Sequence, residues 1–363
     1  MLRRKFIHGG GIAGTLAAAT SAPAIAQAAR PEVRWRLASS YPKSLGPIFG
    51  ACEMLSKRVA ELTDNRFNIS VHAAGDLLPP LGVLDGVQQG SVECGHTASY
   101  FYIGKDPAFG FGTAMPFGMN TRAQEAWLKL GGGLELLNEF YRAFDVSMMP
   151  LGNTGAQMAG WYRKEIKSAD DLKGLKLRIG GLGGQVLARI GVVPQQLGAG
   201  DLYAALEKGV IDAAEFVGPY DDEKLGLYKI AKFYYYPGWW EGSATVGMFI
   251  NQKALNALPA DYRAVLTVAA AEANHWMTAK YDIENPPALR RLVGGGAQLR
   301  AFPKSVMDLS FKSAEGLYAE MAGKSPAFKK IYAPWVKFRD EQILWSRFCE
   351  TPFDTYMAST RKS

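Results

Sequence analysis

From Val33 onward, hydrophobic and polar positions fall into short runs whose period changes repeatedly. "VRWRLAS" alternates as a strand, "PIFGACEMLSKRVAELT" carries apolar residues at helical spacing, and "RFNISVHAA" returns to β-branched alternation. "LLPPLGVLDGVQQG" predicts a short helix after a proline pair, and "VECGHTAS" a third strand. That βαβαβ order predicts a sheet covered by helices, an α/β architecture. Residues 122–143 read as helix broken at Gly131 to Gly133. "DVSMMPLGN" and "GAQMAGWYRK" then follow as two strands with no helix between them, the pattern of a chain crossing from one domain to another.

The second half repeats the alternation. Strands are expected at "LKLRI", "VVPQQL", "IDAAEFV" and "SATVGMFIN", with helices starting near Gly183, Asp201 and Asp221. A long helix is expected from Ala260 to about Tyr281, followed by a separate helix and a strand in "PPALRRLVGGGAQLRAF". From Val306 the pattern is almost all helical, punctuated by Pro326, Pro334 and Pro352. The stretch "APWVKFRDEQILWSRFCETPF" is too rich in large apolar residues for a lone surface helix, so the face from Trp335 to Phe348 should pack on this chain or on a second copy.

Composition adds a few bounds. At 363 residues and 48% hydrophobic, the chain can bury a sizeable core and divide into two domains. Residues 1–26 have a basic head, a small-residue apolar middle and an Ala-x-Ala site, which is a signal peptide. Arg3, Arg4 and Phe6 give it a twin-arginine-like character, with Sec export also open. Three widely spaced cysteines, Cys52, Cys94 and Cys349, make neither a disulfide framework nor a metal spacing and are expected as buried free thiols. The formal charge is +7, three units of which sit in the leader. So mild an excess gives no reason to expect nucleic acid and is compatible with attracting small anions.

The stretch "LKGLKLRIGGLGGQVLARIG" has the outline of a nucleotide loop and fails its details. A dinucleotide fingerprint needs a third glycine where Val186 stands, and the next strand ends in Gln195 and Gln196 rather than an acid. "AGKS" at 322–325 lacks the upstream glycine of a P-loop, having Tyr318 in its place. His72, His96 and His275 lie far apart, and neither a zinc-protease motif nor a Gly-x-Ser-x-Gly elbow occurs. What remains is Arg178 at a strand end before a Gly-rich helix start. A guanidinium there can grip a carboxylate through charge-assisted bonds of about 1.5–3 kcal/mol each, helped by the helix dipole. A structural ion pair is the other reading. Glu215, before the Gly218-Pro219 turn, and Glu241, beside Trp239 and Trp240, are further candidates. Acids around an arginine and a small anion conflict unless a cation bridges them, and oxygen donors favour a hard ion such as Na⁺ or Ca²⁺.

"LGNTGAQMAGWYRKEIKSADDLKGLKLRIGGLGGQVLARIG", "LEKGVIDAAEFVGPYDD", "YYYPGWWEG" and "YFYIGKDPAFGFGTAMPFGMN" closely resemble the solute-binding proteins of TRAP (tripartite ATP-independent periplasmic) transporters, in the branch that binds 2-oxo acids and lactate-like 2-hydroxy acids. The resemblance implies an α/β, two-lobed periplasmic binding protein of type II-like fold, with a long hinge-spanning helix and a C-terminal helical extension. Lobe I would comprise residues 31–152 plus about 244–285, and lobe II residues 153–243 plus about 286–322. Residues 323–363 would form a C-terminal helix, which some members of this branch exchange in a homodimer. By the same resemblance Arg178 holds the substrate carboxylate and Gln157 touches ligand and cation. Glu215 and the Phe216 carbonyl ligate the cation, Glu241 is a further pocket acid, and Tyr100 or Tyr102 reaches the ligand. The implied setting is the periplasm, with the small and large TRAP membrane subunits as partners and no enzymatic role. Phe216 stands where Trp is frequent, and Trp240 where His is, so a bulkier or neutral substrate stays open. An exported enzyme using Glu215 or Glu241 as general base is the reading from another class.

Overall fold

The computed structural model describes residues 30–360, and the leader assigned to residues 1–26 lies outside the described residues. The chain begins with β1 (Val33–Ser39), whose Trp35 and Leu37 are buried while Arg34 and Arg36 face solvent. Helix α1 (Gly46–Leu62) carries Pro47 in its first turn, where a missing N–H costs nothing, and buries Ile48, Cys52, Leu55 and Val59 on one face. It stops at Thr63, whose hydroxyl donates to the Val59 carbonyl, and the left-handed residues Asp64 and Asn65 turn the chain into β2 (Phe67–His72). After α2 (Val83–Gln88) and β3 (Cys94–Thr97) come α3 (Thr121–Lys129), α4 (Gly133–Arg142) and β4 (Val146–Asn153).

The chain then crosses to a second sheet. It adds β5 (Gly160–Tyr162), β6 (Lys176–Arg178), α5 (Gly181–Ala188), β7 (Val193–Gln195), α6 (Leu202–Glu207), β8 (Ala213–Ala214), α7 (Pro219–Leu225) and β9 (Phe233–Tyr236). It returns as β10 (Thr245–Asn251), followed by α8 (Gln252–Ala257), α9 (Ala260–Gly294), β11 (Gln298–Ala301), α10 (Lys304–Lys324), α11 (Pro326–Ser346) and α12 (Glu350–Thr360). Sheet one has the order β2-β1-β3-β10-β4 and sheet two β11-β9-β5-β8-β6-β7. In each sheet one strand, β10 or β5, runs against the rest. Both are the strands entered from the other sheet. A chain that leaves β4 or β9 at one sheet's carboxyl edge reaches its new strand from that same edge and must run backward.

Two sequence expectations are corrected and one is narrowed. The helix expected to stop near Tyr281 continues as α9 through Pro286 and Pro287 for 35 residues, about 50 Å. An interior proline costs about 3 kcal/mol, but packing on both sides outweighs it. Upstream, Leu266, Ala273 and Met277 are buried, and Tyr281 bonds to Asp221; downstream, Ala288 and Leu292 are buried. Trp335 belongs to the core, packed by Phe111 and Tyr332, so the uncovered apolar face begins only at Ile343. Cys52 and Cys94 are buried free thiols, but Cys349 is only half-buried. Among the described residues, no helix is long and apolar enough to cross a membrane.

Candidate ligand and cation site

Ligands of α/β sheets gather at the carboxyl ends of the strands, and there the polar side chains collect. Tyr41 follows β1, Tyr100 follows β3, Thr154 and Gln157 follow β4, Arg178 ends β6, and Glu215 and Phe216 follow β8. The two crossing segments run side by side. Thr154 N–H donates to the Ala244 carbonyl, Gln157 N–H to the Glu241 carbonyl, and Gly238 N–H back to the Gln157 carbonyl, all at 3.0 Å. Gln157 and Glu241 therefore sit on a hydrogen-bonded ribbon between the sheets.

Arg178 is the centre of the site and is buried to 2% exposure. Its Nε donates to the Leu197 carbonyl at 3.1 Å, and its Nη1 to the Glu215 carbonyl at 2.6 Å and to Glu215 Oε1 at 2.8 Å. Phe216 lies under the guanidinium, 5.4 Å from ring centroid to Cζ. Three of the five N–H donors are thus used, and among the described residues no hydrogen bond reaches Nη2. Of the two readings of Arg178 made from the sequence, the structural ion pair is present, through Nη1 and Glu215.

Glu215 is fully buried, with Oε1 accepting also from Gly180 N–H at 3.3 Å and Oε2 meeting no donor. Burial raises its pKa and the Arg178 charge opposes that rise. Glu241, 2% exposed, is pushed well above the usual carboxylate range by burial and by the Glu215 charge, and its Oε2 is likewise unmet. Gln157 Oε1 has no donor, and among the described residues no hydrogen bond reaches the Phe216 carbonyl.

Arg178, Gln157, Phe216 and Tyr100 line one small cavity, together with Tyr41 and Thr154, which the sequence reading did not single out. Their signal was positional, since both closely follow the carboxyl ends of strands in sheet one. Tyr102 is not brought in. Its hydroxyl accepts from Leu84 N–H at 3.0 Å and bonds Thr97 at 3.1 Å, a structural network beside α2. The glycines after Arg178 also serve a purpose other than close approach to a ligand. A Cβ at Gly180 would lie 2.7 Å from the Tyr100 ring and one at Gly181 2.9 Å from it, so the turn is flattened to seat that aromatic wall.

Among the described residues no three acidic, histidine or cysteine side chains form a metal cluster. The donor set fits a hard cation nonetheless. Glu215 Oε2, Gln157 Oε1 and the Phe216 carbonyl are oxygens without hydrogen-bond donors, of the carboxylate, amide and carbonyl types that sodium and calcium accept.

Two sheets joined by crossing strands, with buried polar groups at the strand ends, define a two-lobed solute-binding protein. The chain belongs to the bacterial extracellular solute-binding proteins, family 7, the solute receptors of TRAP transporters, whose model matches residues 38–325. This is a family of receptors, not of enzymes. A periplasmic protein of Nostoc sp. described as binding monocarboxylate 2-oxoacids is 51% identical over 335 residues, 92% of each chain. A TRAP solute-binding protein of Bordetella bronchiseptica superposes with a TM-score of 0.90 at 49% identity, covering 91% of this chain and 98% of its own. That protein was crystallised as a mixed-occupancy dimer with copurified calcium and picolinate in its active site. One from Pseudoalteromonas atlantica, with bound sodium and pyruvate, superposes at 0.86 and 38% identity over 89% of this chain and 98% of its own.

Proposed function

We propose that the protein captures a small 2-oxo or 2-hydroxy monocarboxylate, pyruvate-like or lactate-like, together with a Na⁺ or Ca²⁺ ion and delivers it to the small and large TRAP membrane subunits. The observation that carries this reading is the division of labour around Arg178: Nε and Nη1 bond to the protein, while Nη2 is left over in a side chain that lines one cavity with Gln157 and Phe216. Gln157, Glu215 and the Phe216 carbonyl would hold the cation, while Arg178, Tyr100 and Glu241 face the ligand. The cation, when bound, supplies positive charge that lets an anion share the site with Glu215. Calcium with picolinate and sodium with pyruvate in the Bordetella and Pseudoalteromonas proteins support the pairing. The aromatic walls Tyr41, Tyr100, Phe101 and Phe216 favour a small solute over a bulky one.

The leader assigned to residues 1–26 supports a periplasmic location for the mature protein. A homodimer is supported by the uncovered side chains of Ile343, Leu344, Trp345, Phe348, Phe353 and Tyr356, and by an 860 Å³ groove between α3 and α9, floored by Leu128, Met149 and Ala270. Calorimetry of refolded, ligand-free protein with pyruvate, 2-oxobutyrate and lactate, with and without Na⁺ or Ca²⁺, tests the reading. Micromolar binding, about 8 kcal/mol, is expected only with a cation present. No heat with any of the acids overturns the substrate assignment, and binding confined to bulkier or neutral solutes moves it elsewhere.

A further inference from the structure

We propose that Thr154 positions the Gln157 amide so that its carbonyl oxygen, not its NH₂, faces the cavity, and so sets the site's affinity for a cation. The inference rests on the bridging-cation reading above. It follows from counting protons. The Thr154 hydroxyl has one proton and donates it to the Gly155 carbonyl 3.0 Å away. Toward any other neighbour its oxygen can only accept. Gln157 Nε2 stands 3.0 Å from that oxygen, so the amide must present an N–H there and turn Oε1 to the other side. Oε1 on that side is buried and meets no donor.

An amide turned over would either set its carbonyl against the accepting lone pairs of Thr154 or pull the hydroxyl off the Gly155 carbonyl, which no other donor among the described residues reaches, and in both cases it would bring two N–H donors to the place where a cation needs an oxygen. Nothing else in the backbone can adjust to permit this. Thr154 N–H is fixed on Ala244 and Gln157 N–H on Glu241, each at 3.0 Å. With the backbone held, the rotors left are the Gln157 amide and the Thr154 hydroxyl, and the bond from that hydroxyl to the Gly155 carbonyl ties the second to the first. Thr154 is 3% exposed, so water does not compete for its lone pairs.

Thr154→Val removes the hydroxyl and keeps the branched shape, whereas Thr154→Ser keeps the hydroxyl. In calcium titrations of the ligand-free protein, Thr154→Val is expected to weaken binding about tenfold or more, because the competent amide orientation is then only a minor population. Thr154→Ser is expected to recover most of the affinity. In metal-free protein the Gln157 side-chain amide resonances, assigned by their absence in Gln157→Glu, should coincide in wild type and Thr154→Ser and move in Thr154→Val. Wild-type calcium affinity in Thr154→Val, or equal weakness in the Ser and Val variants, overturns the proposal. Glu215→Gln separates the two levels of the argument. Calcium binding lost in Glu215→Gln but indifferent to Thr154→Val overturns this inference alone, and no calcium binding by the wild type overturns the cation reading with it.

Discussion

Arg178 and Glu215 form an ion pair at 2.8 Å that is almost wholly buried. Removing one partner of such a pair typically costs about 3–5 kcal/mol, because the other is left charged and dry. Substitutions that keep some polarity are therefore the informative ones. Arg178→Lys keeps the charge but cannot reach the Leu197 carbonyl, both Glu215 oxygens and a ligand at once. Affinity for the monocarboxylate should fall at least about tenfold, with a lowered melting temperature, both read on one purified sample. The two acids should separate in the same assay. Glu215→Gln removes a charge assigned to the cation and should cost more than about tenfold, whereas Glu241, held toward its neutral form by burial and by Glu215, should tolerate Gln within about threefold. Equal losses for both would show that Glu241 acts as a carboxylate. Asp221 and Asp222 give a pH test outside the site. Burial pushes Asp221 up to about 7 and Asp222 up to about 6, although Tyr281 donates to the first and Trp161 and Tyr234 to the second. Between the ordinary value of 3.8 and these raised values the folded state holds protons that the unfolded chain has released, so stability falls as pH rises across that window. Urea unfolding of metal-free protein at pH 5 and pH 8 should show this fall. Asp221→Asn should remove part of it and gain roughly 1–3 kcal/mol at pH 8.

At the level of elements, the turn between β6 and α5 joins the sheet to the site. Gly181 has φ 62°, in the left-handed region, and its missing side chain makes room for the Tyr100 ring. Gly181→Ala should destabilise by roughly 1–3 kcal/mol and weaken ligand binding through displacement of Tyr100. Loss of stability with intact affinity would detach the turn from the cavity wall. The sequence already displayed this strand, turn and helix, because alternation and a glycine run are local signals. It could not show that the glycines answer an aromatic residue some eighty positions earlier. The same limit explains α9. Pro286 and Pro287 are stop signals locally, and only the packing of Ala288 and Leu292 keeps the helix going. It also explains Tyr41 and Tyr102: one tyrosine closely follows the end of its strand, the other reaches Thr97 and Leu84, and nothing adjacent to either in the chain tells them apart. Arg178, Glu215 and Gln157 stand out in the sequence because each lies in a long, family-specific string.

For the whole molecule, the C-terminal helices pose a problem of uncovered surface. The first half of α11 is anchored by Phe328, Ile331 and Trp335, with Arg339 stacked 5.2 Å over the Trp335 ring. Beyond it Trp345 is 60% exposed, Phe348 74% and Phe353 64%, a run of large apolar side chains of the kind that marks an association surface. The proposed dimer would cover this face, with the groove between α3 and α9 of the other copy as its apolar seat. None of the residues that line the ligand cavity belongs to this C-terminal segment. Deleting residues 343–363 should therefore convert a dimer into a monomer in sedimentation velocity while leaving monocarboxylate affinity within about threefold, the spread expected when distant sites act independently. A truncated chain that stays dimeric would place the interface elsewhere, and a monomer that no longer binds solute would tie assembly to the closure of the two lobes.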